Sequence, residues 1–296
     1  MNPSPTLLVA GSANLDFVVR APRIPAPGET VLGHAFSTYP GGKGANQAVA
    51  CARAGGAATD MLLALGQDAY AAELEASLRA AGVRPRVVRT PGLATGTAFI
   101  CVSDDAENAI TVAPGANAAL LPEHLPALEH YTHLLLQLET PLATVTACAR
   151  AAQAAGLTVA LNAAPAQALP RSLLAALDLL IVNEGELAAI TGVHDIDAAI
   201  ASLDVPCVVV TLGAQGVRAR CGGAWFSQPG FAVEVVDTTA AGDTFCGALV
   251  AELGRGARWP DALRFACAAA ALACTRPGAQ GSIPARDDVH AFLQSR

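Results

Sequence analysis

The sequence is poor in the features that mark several large classes of protein. It carries no run of basic residues, and its net charge is −7. That balance argues against nucleic acid or an anionic membrane surface as a partner. It does not argue against a nucleotide, whose phosphates a helix start and a metal ion can neutralise locally. The opening residues, MNPSPTLLVAGSANLD, lack the basic region and long apolar stretch of a secretory leader. The most membrane-like stretch, Phe265 to Cys274 (FACAAAALAC), falls far short of the roughly 20 residues that cross a bilayer. The eight cysteines (Cys51, Cys101, Cys148, Cys207, Cys221, Cys246, Cys267 and Cys274) include no C-x-x-C pair, and most sit in apolar runs. They read as buried free thiols rather than a disulfide frame or a zinc site. These absences predict a soluble cytoplasmic protein with neither nucleic acid nor membrane as partner. Two phosphate-binding fingerprints are missing as well. No G-x-x-x-x-G-K-[ST] and no G-x-G-x-x-G occurs, which disfavours a P-loop NTPase and a Rossmann dehydrogenase. There is no clear linker, repeat or low-complexity tract.

What the chain does have is apolar material. Of its 296 residues, 53% are apolar, enough for a large core in one big α/β domain or two ordinary ones. Short apolar runs at Leu7–Ala10, His133–Leu138, Leu157–Leu161, Leu179–Val182 and Cys207–Val210 read as buried parallel strands. Alanine-rich helical patterns such as Ala71–Ala81, Leu142–Ala155 and Asp195–Leu203 alternate with them. The alternation predicts βαβ units in a doubly wound, mostly parallel sheet with helices on both faces. Each run closes on polar residues: Asn14 and Asp16, Glu139, Asn162, Asn183 and Thr211. Any one of these reads as a cap or a turn. Five together predict a lined crevice, because open α/β sheets bind ligands outside the carboxyl ends of their strands.

Two segments break this rhythm. Residues 16–39 and 96–112 hold period-2 stretches (FVVRAP, ETVLGHAF, TAFICVS, NAITVA) and turn residues. They predict a small antiparallel lid over the mouth of a single α/β domain spanning residues 1–296. Such a sheet has edges and an apolar face to cover, so a homodimer through the lid strands is expected.

The densest chemistry lies in Val233 to Ala248, VEVVDTTAAGDTFCGA. An apolar, strand-like run ends at Asp237, and Asp243 stands at the start of a helical stretch. Ala240, Ala241 and Gly242 can turn tightly and leave backbone N–H groups bare at that start, which attracts anions. Asp243 alone would read first as a helix cap. With Asp237 six residues upstream, the pattern suits phosphoryl transfer: one carboxylate takes a proton while the amides hold developing charge. Three further motifs each admit two readings. Pro40-Gly-Gly-Lys43-Gly-Ala-Asn46 is either a glycine turn capped by Asn46 or a close approach of backbone to a polyol held by Lys43 and Asn46. Asn183-Glu-Gly-Glu186 is either an ordinary acidic first turn or a pair that holds a water-bearing Mg²⁺. Thr211-Leu-Gly213-Ala-Gln-Gly216 reads as strand, tight turn and strand; its glycines serve the turn or let a nucleotide lie on the backbone.

Taken together, GSANLD, PGET, GGKGANQAVA, TGTAFI, GANAAL, LQLETPL, LNAAPA, NEGE, TLGAQGV, DTTAAGDTF and TRPGAQGSIP resemble the PfkB, ribokinase-like family of sugar kinases over essentially the whole chain. The resemblance implies ATP-dependent phosphorylation of D-ribose at O5. Asp243 would be the base, and the amides of Ala240, Ala241 and Gly242 the anion hole. Asn14, Asp16, Gly42, Lys43, Asn46 and Glu139 would hold the sugar. Asn183 and Glu186 would serve the Mg²⁺ and phosphate side, with Thr211, Gly213 and Gly216 along the nucleotide. A K⁺ ion is implied beside Asp237 and Thr239, with Ala273, Arg276, Gly278 and Ser282 from a second loop, several acting through carbonyls. The chain departs from the family at Cys246, Cys267 and Pro277, which bear on nucleotide and cation details rather than on the reaction. The alternatives are another small sugar or nucleoside (2-deoxyribose, fructose, a ribosyl compound) or a non-catalytic sugar-binding regulator. The last has no use for a base at Asp243.

Overall fold

Successive side chains on a strand point to opposite faces, so a strand buried on both sides must be apolar throughout. That is how the five runs behave in the computed structural model, which describes residues 6–105 and 107–296. Residues 1–5, at the head of the stretch read for a leader, and residue 106, inside the 96–112 segment, lie outside the described residues. The chain runs β1 (Thr6–Ala10), β2 (Asn14–Ala21), β3 (Ala35–Gly41), α1 (Lys43–Arg53), β4 (Ala58–Leu65), α2 (Ala69–Ala80), β5 (Val83–Arg89), β6 (Gly96–Ser103) and β7 (Asn108–Ala113). It continues with β8 (His133–Leu136), α3 (Leu142–Ala154), β9 (Thr158–Asn162), α4 (Arg171–Leu174), β10 (Leu179–Asn183), α5 (Glu184–Thr191), α6 (Ile196–Ser202) and β11 (Cys207–Thr211). The last elements are β12 (Val217–Cys221), β13 (Ala224–Gln228), α7 (Ala241–Gly254), α8 (Trp259–Ala273) and α9 (Arg286–Gln294).

Nine strands form the main sheet in the order β13-β12-β11-β10-β9-β8-β1-β4-β5, parallel from β11 to β5 and antiparallel at β12 and β13. Two cores cover its faces, and the alternation is visible strand by strand. Leu7 and Val9 of β1, Met61 and Leu63 of β4, and Leu179 and Ile181 of β10 pack into one core with Val49 of α1, Phe245 and Leu249 of α7, and Leu263 of α8. Their neighbours Leu8, Leu62, Leu180 and Val182 pack into the other with Val145 of α3, Leu187 of α5 and Ile200 of α6. Each such fully buried Leu, Ile, Val or Phe contributes about 1.5–3 kcal/mol. Among the described residues no helix is long and apolar enough to cross a membrane.

The second sheet has the order β3-β2-β6-β7. Its outer pairs are antiparallel, while the central pair β2–β6 is parallel, because β3, α1, β4, α2 and β5 lie between the two strands in sequence. Asp16, Val18, Tyr39 and Ile100 face a cavity of about 380 Å³ beneath this sheet, closed on the far side by residues 235–239 and 277–279. On the other face Phe17 stacks with Phe36 and Phe99 and meets Tyr70 of α2 edge-on.

Two expectations need correction. Residues 233–237 form no strand: Val235 and Val236 are 59% exposed, and the segment is tied down by the amides of Val236 and Asp237 donating to the Cys274 carbonyl. An apolar run without a partner strand has no ladder to join. Nor are all the thiols free. Cys207 and Cys221 stand directly opposite one another in the β11–β12 register and are joined as a disulfide, a pairing that their sequence separation of 14 hid. The other six cysteines are free.

Candidate active site

The site is assembled where β1, β8, β9 and β10 end and where α1, α5 and α7 begin. The glycine segment comes first. Gly42 has φ +88, and a Cβ there would stand 2.7 Å from the Asn14 amide nitrogen and 2.8 Å from the Ala13 Cα. Only glycine lets the start of α1 lie directly on the β1–β2 turn. Helix α1 consequently starts at Lys43, and its N-cap is Gly42. The reading of Asn46 as a cap therefore fails: its side chain donates to Asp243 Oδ2 at 2.9 Å instead.

The start of α7 is built the same way from a different residue. Ala240, the N-cap, has φ 59, the only positive φ at a non-glycine residue among those described. A left-handed alanine costs roughly 1–2 kcal/mol and marks a backbone held for a purpose. The turn leaves α7 with no side-chain cap. Asp243, buried in the first turn, does not cap its own helix. It accepts hydrogen bonds from Asn46 at Oδ2 and from Gln47 at Oδ1, both at 2.9 Å, across about two hundred residues of sequence. Of the three amides expected in the anion hole, that of Ala241 donates to the Thr238 carbonyl at 3.2 Å. Those of Ala240 and Gly242 reach no protein carbonyl among the described residues.

Four carboxylates crowd this space. Asp16 is buried, and no protein donor reaches either of its oxygens among the described residues. Burial first, then the negative charges of Glu139 and Asp243, raise its carboxyl to about 7. Glu139 Oε2 accepts from the Ser12 hydroxyl at 2.6 Å and the Lys43 amide at 3.0 Å, so it pins the glycine segment to the end of β8. Burial also lifts Glu186, opposed by the Asn183 amide and the Lys43 charge. Against these stands one ammonium. Asp243 above all raises Lys43, with Glu139 and Glu186 adding to it against burial. The Lys43 side chain thus provides positive charge at the centre, while its contact with Glu139 runs through the backbone.

Asn183 and Glu186 are occupied with one another in a reciprocal cap of α5. The Asn183 amide donates to Glu186 Oε2, and the Glu186 amide to Asn183 Oδ1, each at 2.8 Å. The ordinary reading of this pair is therefore realised. One Glu186 oxygen remains, which fits a Mg²⁺ arriving on phosphates and keeping most of its waters. Among the described residues no three His, Cys, Asp or Glu side chains converge as a metal cage. The two loops expected beside a monovalent cation are tied together: Asp237 accepts at Oδ1 from the Thr239 amide and hydroxyl, and at Oδ2 from the Gly278 amide. Burial alone would raise Asp237, but these bonds outweigh it and hold the carboxyl below its ordinary value. Arg276 turns to Asp288 at 3.6 Å, and the Ser282 hydroxyl donates to the Ala279 carbonyl, so loop carbonyls are what these residues and buried Ala273 can offer a cation. The donor set fits an alkali ion.

Of the residues expected along the nucleotide, Thr211 donates to the Val182 carbonyl at 3.3 Å. Gly213 and Gly216 have φ of 56 and 99, and a Cβ on Gly216 would stand 2.0 Å from the Gln228 carbonyl. The turn between β11 and β12 explains both glycines. Cys246 and Cys267 are buried and their thiols raised, mainly by burial, Cys267 to about 12.

Four contributors were not foreseen in their present places. Ser12 reaches Glu139, Asn117 donates to Asn14 Oδ1 at 2.8 Å, and Gln47 and Gln137 lie behind Asp243. The only signal was their position inside GSANLD, GANAAL, GGKGANQ and LQLET.

The chain as a whole is similar to known proteins. Residues 4–286 match the pfkB family of carbohydrate kinases. A ribokinase of Haemophilus influenzae is 39% identical over 302 residues, covering 98% of each chain. Among solved structures, a ribokinase of Thermotoga maritima superposes with TM-score 0.90 at 37% identity, over 98% of this chain and 99% of its own. A ribokinase of Arabidopsis thaliana complexed with ribose and ATP gives TM-score 0.88 at 34% identity, over 99% of both.

Proposed function

The chain belongs to the pfkB family of carbohydrate kinases, and from that premise we propose that it transfers the γ-phosphoryl group of ATP to O5 of D-ribose, giving ribose 5-phosphate. The observation that carries the reading is Asp243: a buried carboxylate in the first turn of α7, held by two side-chain amides of α1 and adjoining a left-handed turn. The relative solved with ribose and ATP supports this pair of substrates.

Asp243 takes the O5 proton as the O5–phosphorus bond forms and the bond from the γ-phosphorus to the bridging oxygen breaks, with ADP leaving. Phosphoryl transfer asks for positioning and charge stabilisation more than covalent work. The amides of Ala240, Ala241 and Gly242 supply the latter, that of Ala241 once its bond to Thr238 yields. Lys43 adds positive charge. Asn14, Asp16, Gly42, Lys43, Asn46 and Glu139 form the sugar subsite. Thr211, Gly213, Gly216 and Asn183 border the nucleotide. Glu186 would be the protein contact for Mg²⁺, which would neutralise phosphate charge, and carbonyls around Asp237, Thr239, Ala273, Arg276, Gly278 and Ser282 would hold K⁺. The protein works as one α/β domain in the cytoplasm, where ATP is held, with the four-stranded sheet as lid.

The test is an ADP-release assay with Mg²⁺–ATP across ribose, 2-deoxyribose, fructose and adenosine, in K⁺, Na⁺ and alkali-free buffers. Ribose should turn over fastest, and K⁺ should raise the rate severalfold. Preference for another acceptor would move the specificity; equal rates in all three buffers would exclude the cation. No turnover from folded, ribose-binding protein would overturn the reading.

The lid's outer face supports a homodimer. Phe36 is 62% exposed and Phe99 54%, on a face shared with Val19, and a contiguous apolar patch of this kind invites a second copy. Sedimentation should give the mass of two chains, and Phe36→Glu with Phe99→Glu the mass of one. A monomeric parent protein would rule it out.

A further inference from the structure

Behind Asp243 lies a chain of side-chain amides that the proposed reaction does not use directly. Gln47 on α1 and Gln137 just after β8 have no solvent exposure at all. Burying a primary amide costs about 1–3 kcal/mol for each group left unpaired, so two in one place need a reason. Gln47 Nε2 donates to Asp243 Oδ1 at 2.9 Å and to Asn162 Oδ1 at 3.0 Å. Asn162, at the end of β9, is fixed in turn by donating to the Ile181 carbonyl at 3.1 Å. Because Gln47 Nε2 faces two oxygens, its amide has one workable orientation, with Oε1 pointing away from Asp243. That oxygen accepts from Gln137 Nε2 at 2.7 Å. Gln137 keeps its place at a cost. Its own Oε1 has no partner among the described residues, and a Cβ on Gly11 would stand 2.0 Å from that atom. A leucine at 137 would have filled the space more cheaply, so the amide is kept for its donor.

We infer that Gln47, oriented by Gln137 and Asn162, is a positioning residue that holds the Asp243 carboxylate in the rotamer that meets the sugar hydroxyl. The inference rests on Asp243 being the base. Asn46, which holds the other oxygen, belongs to the proposed sugar subsite, whereas Gln47 is tied to Asp243, Asn162 and Gln137 and gives Asp243 a fixed reference. A residue that merely filled the core would alter stability and leave turnover per folded molecule alone. A positioning residue lowers kcat without weakening the sugar.

The experiment compares wild type with Gln47→Met, Gln137→Met and the double variant, methionine keeping nearly the same volume. Steady-state turnover gives kcat, and calorimetry without nucleotide gives the ribose Kd. Gln47→Met should lower kcat about 10- to 100-fold, the scale of a misplacement near 1 Å, with Kd within about 3-fold. Gln137→Met leaves Asp243 untouched and should lower kcat less, about 3- to 10-fold. The double variant should be no slower than Gln47→Met alone, since both act through one contact. Unchanged kcat in folded Gln47→Met, parallel changes in kcat and Kd, or additive losses would each overturn the inference. If Gln47→Met does not fold, Gln137→Met decides by the same criteria. Wild type in the same assay separates the two levels. An inactive wild type sinks the kinase reading, whereas an active wild type with unaffected variants sinks the positioning role alone.

Discussion

Asp243→Asn should lower kcat by about 10³-fold, within the range a positioned general base contributes, while ribose still binds and the protein still folds. The surroundings of Asp243 explain why folding survives. Both carboxylate oxygens accept from donors, so a new NH₂ group must face one donor and meet it head-on. Facing Gln47 is costly, because that amide is also bound to Asn162 and cannot turn over. Facing Asn46 is cheap, because Asn46 Oδ1 is buried without a partner among the described residues, so a flip of its amide turns it into an acceptor. The substitution therefore keeps the network and removes only the proton acceptor. ADP release and ribose calorimetry on the same preparation check both halves. Turnover close to wild type would remove Asp243 as the base and with it the mechanism.

The elements and contacts that build this site differ in how visible they are in the sequence. The main strands were legible because a strand buried on both faces leaves an unbroken apolar run, as LTVAL and LLIV do. Strand β5, VRPRVVR, was not. It lies at the edge, where Pro85 is tolerated, and its arginines reach inward charge: Arg84 and Arg86 pair with Asp60, which is fully buried and also takes the Tyr131 hydroxyl. Residues 233–237 misled in the other direction, being apolar without a partner strand. In the site, the residues whose types speak for themselves were legible: two aspartates around a small-residue turn, and glycines before an Asn. What they do to one another was not. Asn183 and Glu186 carry a metal-like spacing, yet they cap α5 through one another and leave a single Glu186 oxygen. Gln47 and Gln137 stand 90 residues apart, and neither type signals chemistry alone. Their role exists only because α1 and the end of β8 converge on α7.

Lowering the pH through 7 should raise the ribose KM, by about tenfold per pH unit once below that value, while kcat at saturating ribose changes little over the same interval. The cause is Asp16. Its carboxyl is raised to about 7 by burial, then by Glu139 and Asp243, and no donor among the described residues relieves it. A carboxylate in that position can accept two hydroxyl hydrogens, as a vicinal diol offers, and only the ionised form accepts both. Proton and sugar therefore compete for it. Above about pH 8 the competition ends and KM is flat. The same residue acts on stability with a definite sign. Its folded value lies above the unfolded 3.8, so between 3.8 and 7 the folded chain holds more protons than the unfolded one, and this group's contribution falls as pH rises through that window. Asp16→Asn should thus raise the melting temperature of the sugar-free protein at pH 8. It should also raise KM roughly 10²-fold, the loss of one or two charge-assisted bonds at about 1.5–3 kcal/mol each, and abolish the pH dependence of KM. A KM profile equally steep in Asp16→Asn would assign the titration to another group, and a lower melting temperature would mean that Asp16 supports the fold instead of straining it for the sugar.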